Sequence, residues 1–203
     1  SRRCFYRSML YVALARLLGI PVVLHIHPMS FVDGYFRGGR VHKALVRAVL
    51  GASAAVVVLT EEIRTALRGL VEHDRLFVVP NPVDTSEHAP RDPGCASGQM
   101  VILYLGAILA EKGVHDLVDA MPAVLREFPG ARFDFAGDRD LAVLRKHLDK
   151  LGVSGSARVL GWVSGAPRLD LLTGSTVLAL PSHSEGLPNV LLEAMASGLA
   201  VVA

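Results

Sequence analysis

Glu185 and Glu193 stand eight positions apart in the stretch SHSEGLPNVLLEA at residues 182–194. Between them, Gly186, Leu187, Pro188 and Asn189 read as a loop entering a helix. The unpaired N–H groups at such a helix start suit a phosphate. A carboxylate aimed at that phosphate would repel it. A carboxylate suits hydroxyls instead, because its two oxygens can accept from both donors of a vicinal diol. Glu193 sits about four residues into the helix, on the face of Asn189, and Glu185 lies in the loop on the other side of the helix start. The order is hydroxyl binder, phosphate cradle, hydroxyl binder, which matches ribose, diphosphate and hexose in a nucleoside diphosphate sugar. Spacing alone leaves a second reading open, with Glu185 a solvated loop residue and Glu193 an exposed helix residue. Paired-carboxylate hydrolysis is a weaker third, since nothing in the sequence turns the two groups toward each other.

The elements that must position these residues alternate along the chain. Of 203 residues, 51% are hydrophobic and 20% charged, enough for two modest cores. Strands are expected over 22–26, 54–59 and 76–79. A loop with Pro28, Gly34, Gly38 and Gly39 follows the first, then a helix over 41–50. Thr60 is placed to cap a helix running to about Glu72, with Glu61 and Glu62 in its first turn. Residues 85–99 are polar, rich in Pro and Gly and without period, and read as a linker. Beyond it, strands are expected over 100–105, 132–136, 158–160 and 176–180, and helices over 114–127, 141–151, 167–172 and 188–197. Pro188 suits the first helical position and Gly198 the stop, with a last strand beginning after it. Continuously apolar strands in βαβα order predict parallel sheets covered on both faces. The expected fold class is α/β, with two Rossmann-like parallel-sheet units over 1–84 and 100–203 joined by 85–99. The chain starts inside a helical pattern and stops within a strand, so both units are expected to be incomplete and the fragment alone inactive.

Several classes of function are disfavoured. The net charge is +2 with both signs interspersed, which gives no footprint for nucleic acid. Cys4 and Cys95 have no metal or redox spacing, which fits a reducing cytoplasm. No apolar run reaches the roughly 18–20 residues of a membrane span. The opening RRCFYRSMLYVALARLLG reads as a core-facing helix with arginines outside. His25 and His27 share a strand face but lack an evident third ligand, so no metal is expected. No strand is followed by G-x-G-x-x-G, which argues against a dinucleotide oxidoreductase. Trp162 reads as packing. His183 is equally readable as a ligand contact or as plain loop.

The stretch SEGLPNVLLEAMASGLAVVA closely resembles the E-x7-E region of retaining, GT-B fold glycosyltransferases of family 4, the glycosyl transferases group 1. YLGAILAEKG at 104–113 resembles that family's phosphate loop, VPNPVD at 79–84 its P-N-G-V-D segment, and PVVLHIH at 21–27 its first-domain strand ending in a histidine. The order of the four segments agrees. The resemblance implies a hexosyltransferase-type enzyme with its cleft between an acceptor-side unit (1–84) and a nucleotide-sugar-binding unit (100–203). Glu193 would hold the ribose and Glu185 the transferred sugar. The amides of Gly186, Leu187, Pro188, Asn189 and Val190 (proline lending only its carbonyl) would line the sugar and phosphates. Lys112 would neutralise the leaving diphosphate, and Gly106 would admit the phosphates to the backbone. Gly161, Trp162 and Val163 would hold the base, and His27 would face the sugar. No metal or other cofactor is implied. The acceptor would be a glycan, a lipid-linked or a small molecule. The front helix allows contact with a membrane-borne acceptor at the inner face of a cytoplasmic membrane.

The sequence departs from the pattern at two places. Ala107 stands where the family carries an arginine, and losing such a charge-assisted contact costs roughly 1.5–3 kcal/mol; Arg139 is the candidate substitute. Pro82 replaces a glycine and should alter its turn locally. Two alternatives remain: a non-catalytic nucleotide-sugar binder, and a nucleotide-sugar epimerase on the same fold.

Overall fold

The structure, a computed structural model, describes residues 2–27, 29–88 and 98–203, with side chains from 6, 31 and 98 onward in those three stretches. Most of the expected linker lies outside the described residues, as do Cys95, Pro28 and the side chain of Cys4. The chain divides into two compact units, Ser1–Asn81 with Glu185–Leu187, and Pro82–Ser184 with Pro188–Ala203.

The first unit carries a three-stranded parallel sheet in the order β1-β2-β3, from β1 (Val23–Ile26), β2 (Ala55–Val58) and β3 (Leu76–Val78). After β1 come the helices α2 (Met29–Phe36) and α3 (Arg40–Ala52), and after β2 the helix α4 (Glu61–Ala66). Helix α3 buries Val46, Val49 and Leu50, the i, i+3, i+4 stripe of an amphipathic helix. Val46 and Leu50 join Val56, Val58, Ile63 and Leu67 in one core. Thr60 caps α4 as expected, its Oγ1 accepting from the Ile63 N–H at 3.3 Å.

Three expectations fail in this unit. Residues 29–36, read as part of a loop carrying Pro28, Gly34, Gly38 and Gly39, form α2, which buries Val32 and Tyr35 three apart; tertiary burial there outweighs the helix cost of Gly34. Helix α4 stops at Ala66 rather than near residue 72, because the chain turns through Gly69 at φ +80°. The opening helix α1 (Arg2–Leu17) is not core-facing: Val12 is buried, while Leu10, Tyr11, Leu14 and Leu17 are exposed. Its apolar residues surround the helix rather than forming one stripe, so a single neighbour, α3, covers only a narrow line of them.

The second unit holds five parallel strands, β4 (Val101–Leu105), β5 (Arg132–Ala136), β6 (Ala157–Gly161), β7 (Val177–Ala179) and β8 (Ala200–Val202), in the order β6-β5-β4-β7-β8. All five residues of β4 are buried. Their side chains alternate between two cores. Ile102 and Tyr104 pack with Val114, Val118 and Met121 of α5 (Val114–Glu127) and with Leu144 and Leu148 of α6 (Leu141–Lys150). Leu103 and Leu105 pack with Leu172 of α7 (Ala166–Gly174) and Ala194 of α8 (Asn189–Ala196). Helices on both faces explain why the strand is apolar at every position. Asp134, also buried, is matched by Arg132 and Arg158, and Arg158 lies opposite it on β6. Helix α8 begins one residue later than expected, with Pro188 as its N-cap in an extended conformation. The chain runs β4, β5, β6 to one side, then crosses through α7 to β7 on the other, so strand order reverses between β4 and β7. Open α/β sheets bind ligands outside the carboxyl ends of strands at such a reversal.

Candidate functional site

Within the second unit, the loops leaving β4 and β7 meet at that reversal and are fastened to each other. A short 3-10 turn, Ala110–Lys112, ends at Gly113, whose φ of +65° is left-handed. A Cβ on Gly113 would run into the backbone carbonyl of Pro181. Glycine is therefore required twice, by conformation and by close approach. The His183 N–H donates to the Glu111 carbonyl at 3.2 Å, and the His183 imidazole Nε2 meets Asp116 Oδ2 at 2.7 Å. His183 thus serves to pin the β7 loop to the first turn of α5. Lys112 is placed on the clamped β4 loop, one residue before the glycine.

Helix α8 follows the clamped β7 loop in the chain. Its N-cap, Pro188, offers no side-chain bond and no acidic residue sits in its first turn, so the amides of Asn189 and Val190 are not capped by side chains. One turn on, Glu193 is largely buried, with 16% of its side chain exposed, and it is ion-paired with Arg168 of α7. Sequence reasoning missed Arg168, which carries no spacing signal toward Glu193 and is brought there only by the packing of α7 and α8 on one face of the sheet.

The loops after β5 and β6 flank the same strand ends. Gly106 has room for a Cβ, which would sit 3.6 Å from Tyr104 Oη, so packing within the protein does not demand glycine there. A Cβ on Gly137 would instead strike the Gly106 carbonyl. The Tyr104 hydroxyl donates to the Ala107 carbonyl at 2.7 Å and fixes the loop at the residue where an arginine was expected. Arg139 follows β5 and pairs with Ile108 by backbone bonds. It is the non-glycine residue with positive φ (88°) among those described, and its guanidinium is mostly exposed. Gly161 ends β6 at φ +74°, and its carbonyl accepts from the Gly137 N–H at 2.8 Å. Val163 packs on the core, but Trp162 is 73% exposed, contrary to its reading as a packing residue. It lies in the loop beyond β6, outside both cores.

The first unit brings His27 together with Glu185–Leu187. A Cβ on Gly186 would collide with the His27 carbonyl oxygen, and Asn81 Nδ2 donates to the Leu187 carbonyl at 2.7 Å. The rings of His25 and His27 lie 4.1 Å apart. Partial desolvation, and then repulsion from His27, hold His25 below its ordinary pKa. Glu185 and Leu187 are half-buried and His27 is exposed. Among the described residues, no group of three or more His, Cys, Asp or Glu side chains could hold a metal ion, and no helix is long and apolar enough to cross a membrane.

Known proteins of similar sequence and structure fit this arrangement. Residues 99–203 match the sequence profile of the glycosyl transferases group 1, and residues 3–82 that of the glycosyl transferase 4-like domain. A glycogen synthase of Mycobacterium tuberculosis is 30% identical over 94% of this chain and 48% of its own length. The sulfoquinovosyl transferase SQD2 of Arabidopsis thaliana is 27% identical over 95% and 39%. The chain thus spans less than half the length of these two relatives. Among solved structures, Anabaena Alr3699/HepE in complex with UDP and glucose superposes with TM-score 0.77 at 18% identity, over 97% of this chain and 56% of that one. Sucrose-phosphate synthase from Thermosynechococcus elongatus gives 0.76 at 17%, over 95% and 53%. Likeness at such identities shows the fold, which is the GT-B type. With one profile covering more than half of its residues, the chain belongs to the glycosyl transferases group 1.

Proposed function

We propose that the protein carrying this chain is a retaining glycosyltransferase that moves a hexose from a nucleoside diphosphate sugar to an acceptor hydroxyl. In this reaction the bond from the sugar's C1 to the diphosphate oxygen breaks. The acceptor oxygen then bonds to C1 on the same face, and its proton leaves with the diphosphate. The developing charge is on the diphosphate, and a fixed cation next to it stabilises the transition state more than the ground state. Lys112 supplies that cation, the uncapped amides of Asn189 and Val190 add donors, and Arg139 is the second cation in place of Ala107. Glu193 takes the ribose hydroxyls. Glu185, the backbone of Gly186 and Leu187, and His27 take the transferred sugar. Gly161, Trp162 and Val163 serve the base, and the exposed indole of Trp162 is free to stack on it.

The observation that carries this reading is the clamp between the β4 and β7 loops at the strand-order reversal, which ties the loop bearing Lys112 to the loop that leads into α8. The HepE structure with UDP and glucose supports a nucleotide-sugar donor. Residues 1–84 would serve the acceptor, a glycan or lipid-linked molecule, 85–99 would link, and 100–203 would bind the donor. No metal is needed, because basic residues neutralise the diphosphate, and a cytoplasmic location fits a nucleotide-sugar substrate.

Calorimetric titration of the full-length protein with UDP-, GDP- and ADP-sugars tests the proposal. One class should bind, turnover should survive EDTA, and Lys112→Ala should weaken binding roughly tenfold to a hundredfold, the equivalent of about 1.5–3 kcal/mol. Binding without sugar transfer to any acceptor would leave a nucleotide-sugar binder. Absence of binding to all three would overturn the donor site.

A further inference from the structure

We infer that Arg168 is a positioning residue for the donor nucleotide, holding the Glu193 carboxylate in the orientation that accepts the ribose hydroxyls; this rests on the donor-binding reading of Glu193. The pair joins two helices on one face of the second unit's sheet. Glu193 lies on α8 and is 16% exposed, and Arg168 lies in the first turn of α7 and is 28% exposed. A carboxylate this far from water is costly unless a cation meets it, and Arg168 is that cation. The contact engages Oε2, which is out of solvent and makes no aligned hydrogen bond, so the two groups meet as an ion pair. A carboxylate has about four acceptor positions. Compensating its charge through one oxygen leaves acceptor capacity for a diol, which a carboxylate tied up by several hydrogen bonds would lack.

Two further observations favour a positioning role over a surface ion pair. The residues around both partners are packed into the same core: Val163, Leu171 and Leu172 on the α7 side, Val190 and Ala194 on the α8 side. Both ends of the pair are therefore held by rigid elements, which fixes the carboxylate's direction. Arg168 also follows within one turn of the loop carrying Trp162 and Val163, so it couples the base-side loop to the ribose-side carboxylate. The guanidinium answers the charge problem posed by the sequence as well. Glu193 stands one helical turn from the proposed diphosphate cradle, and without a partner its charge would oppose the diphosphate; paired with Arg168, the two together carry no net charge.

The test measures, in the full-length protein, the affinity for the nucleoside diphosphate that binds best among UDP, GDP and ADP, and for its 2′,3′-dideoxy analogue. Glu193→Gln, Arg168→Leu, Arg168→Lys and the Glu193→Gln/Arg168→Leu double variant run beside the wild type, with thermal melts confirming folding. Wild type should prefer the ribose form by tenfold or more, and Glu193→Gln should abolish that preference. Arg168→Leu should reduce it to about threefold or less, Arg168→Lys should restore at least half of it on a logarithmic scale, and the double variant should be no worse than the worse single one. Should Arg168→Leu melt as an unfolded chain, Arg168→Lys alone decides, because a lysine keeps the charge but carries it on a shorter chain and so must give an intermediate preference. If Glu193→Gln loses the preference while both Arg168 variants keep it within twofold of wild type, the positioning role is overturned and the donor site stands. If wild type shows no preference, or Glu193→Gln keeps it, the reading of Glu193 itself has failed.

Discussion

The central strand of the second unit and the edge strand of the first show what a sheet position does to the same kind of sequence. β4 (VILYL) is buried at every residue, with helices on both faces and strands on both sides. β1 (VLHI) lies at the end of its three-strand sheet, and only Ile26 is buried. Both are short, apolar and parallel. The difference lies in what surrounds them, and it extends to the loops that follow. The loop after β4 is clamped by a backbone contact at Gly113, a backbone hydrogen bond at Glu111 and an imidazole–carboxylate pair at Asp116. His27, which follows β1, is closely approached by the Gly186 backbone at its carbonyl, but its side chain is exposed on a strand end that has a neighbour on one side. A charge that must meet a diphosphate benefits from the first kind of support.

The sharpest way to break this contrast is at the clamp. Gly113→Ala places a methyl on the Pro181 carbonyl at a positive φ. Backbone strain of about 1–3 kcal/mol adds to an overpacking cost of about 1–3 kcal/mol, so a loss of about 2–6 kcal/mol in stability is expected, with donor binding lost as the loop shifts. Chemical denaturation of the variant checks it. An unchanged midpoint would mean that the two loops are not locked together. Leu103→Ala should follow closely at about 2–5 kcal/mol, because it opens a cavity in a fully buried central strand. The matching change on the edge strand, Val23→Ala, should cost less than about 0.5 kcal/mol, since Val23 is 61% exposed.

A smaller effect should appear with pH. Burial alone would push the Asp134 carboxyl up, but hydrogen bonds and charge from Arg158 and Arg132 outweigh it and hold the carboxyl below its ordinary 3.8. A group depressed in the folded state adds stability above its unfolded pKa and loses it as pH falls toward the folded value. The Asp134 contribution should thus be complete at neutral pH and fade below about pH 4. Melting temperatures between pH 7 and 3 check this. The acid-side fall should be shallower in Asp134→Asn, and equal slopes would sink the assignment.

The parallel α/β units were legible because β2, β4 and β7 are continuously apolar runs between helical periods, and Lys112 and Gly113 stood out because they match a known pattern, whereas the clamp through His183 and Asp116 did not. What stayed illegible depended on tertiary neighbours. Residues 29–36 carry Gly34 and stand between Pro28 and Gly38, as a loop would, yet Val32 and Tyr35 find a core and the segment is a helix. Arg168 looks like any helix arginine until α7 and α8 pack side by side. Trp162 is apolar and aromatic, but it stands beyond the end of β6 outside both cores while its neighbour Val163 packs on one of them, so burial could not be read from its type. The exposure of α1 had the same cause: apolar residues distributed around a helix do not reveal which of them has a neighbour.

Helix α1 offers the gentlest test of the comparison. In this structure Leu17 is 85% exposed and Leu14 55%. Truncating an exposed side chain with no special partner changes stability by about 0.5 kcal/mol or less, so Leu17→Ala and Leu14→Ala should leave the denaturation midpoint of the 203-residue chain nearly unchanged. The same substitutions in the full-length protein separate two causes of the exposure. An equally small effect there would mean that α1 presents its apolar residues to solvent in the working molecule. A loss of about 2–5 kcal/mol, the cost of a buried leucine, would mean that they are covered in the whole protein. The first unit would then owe its looser appearance to neighbours beyond these residues, whereas β4 and its clamped loop have theirs within them.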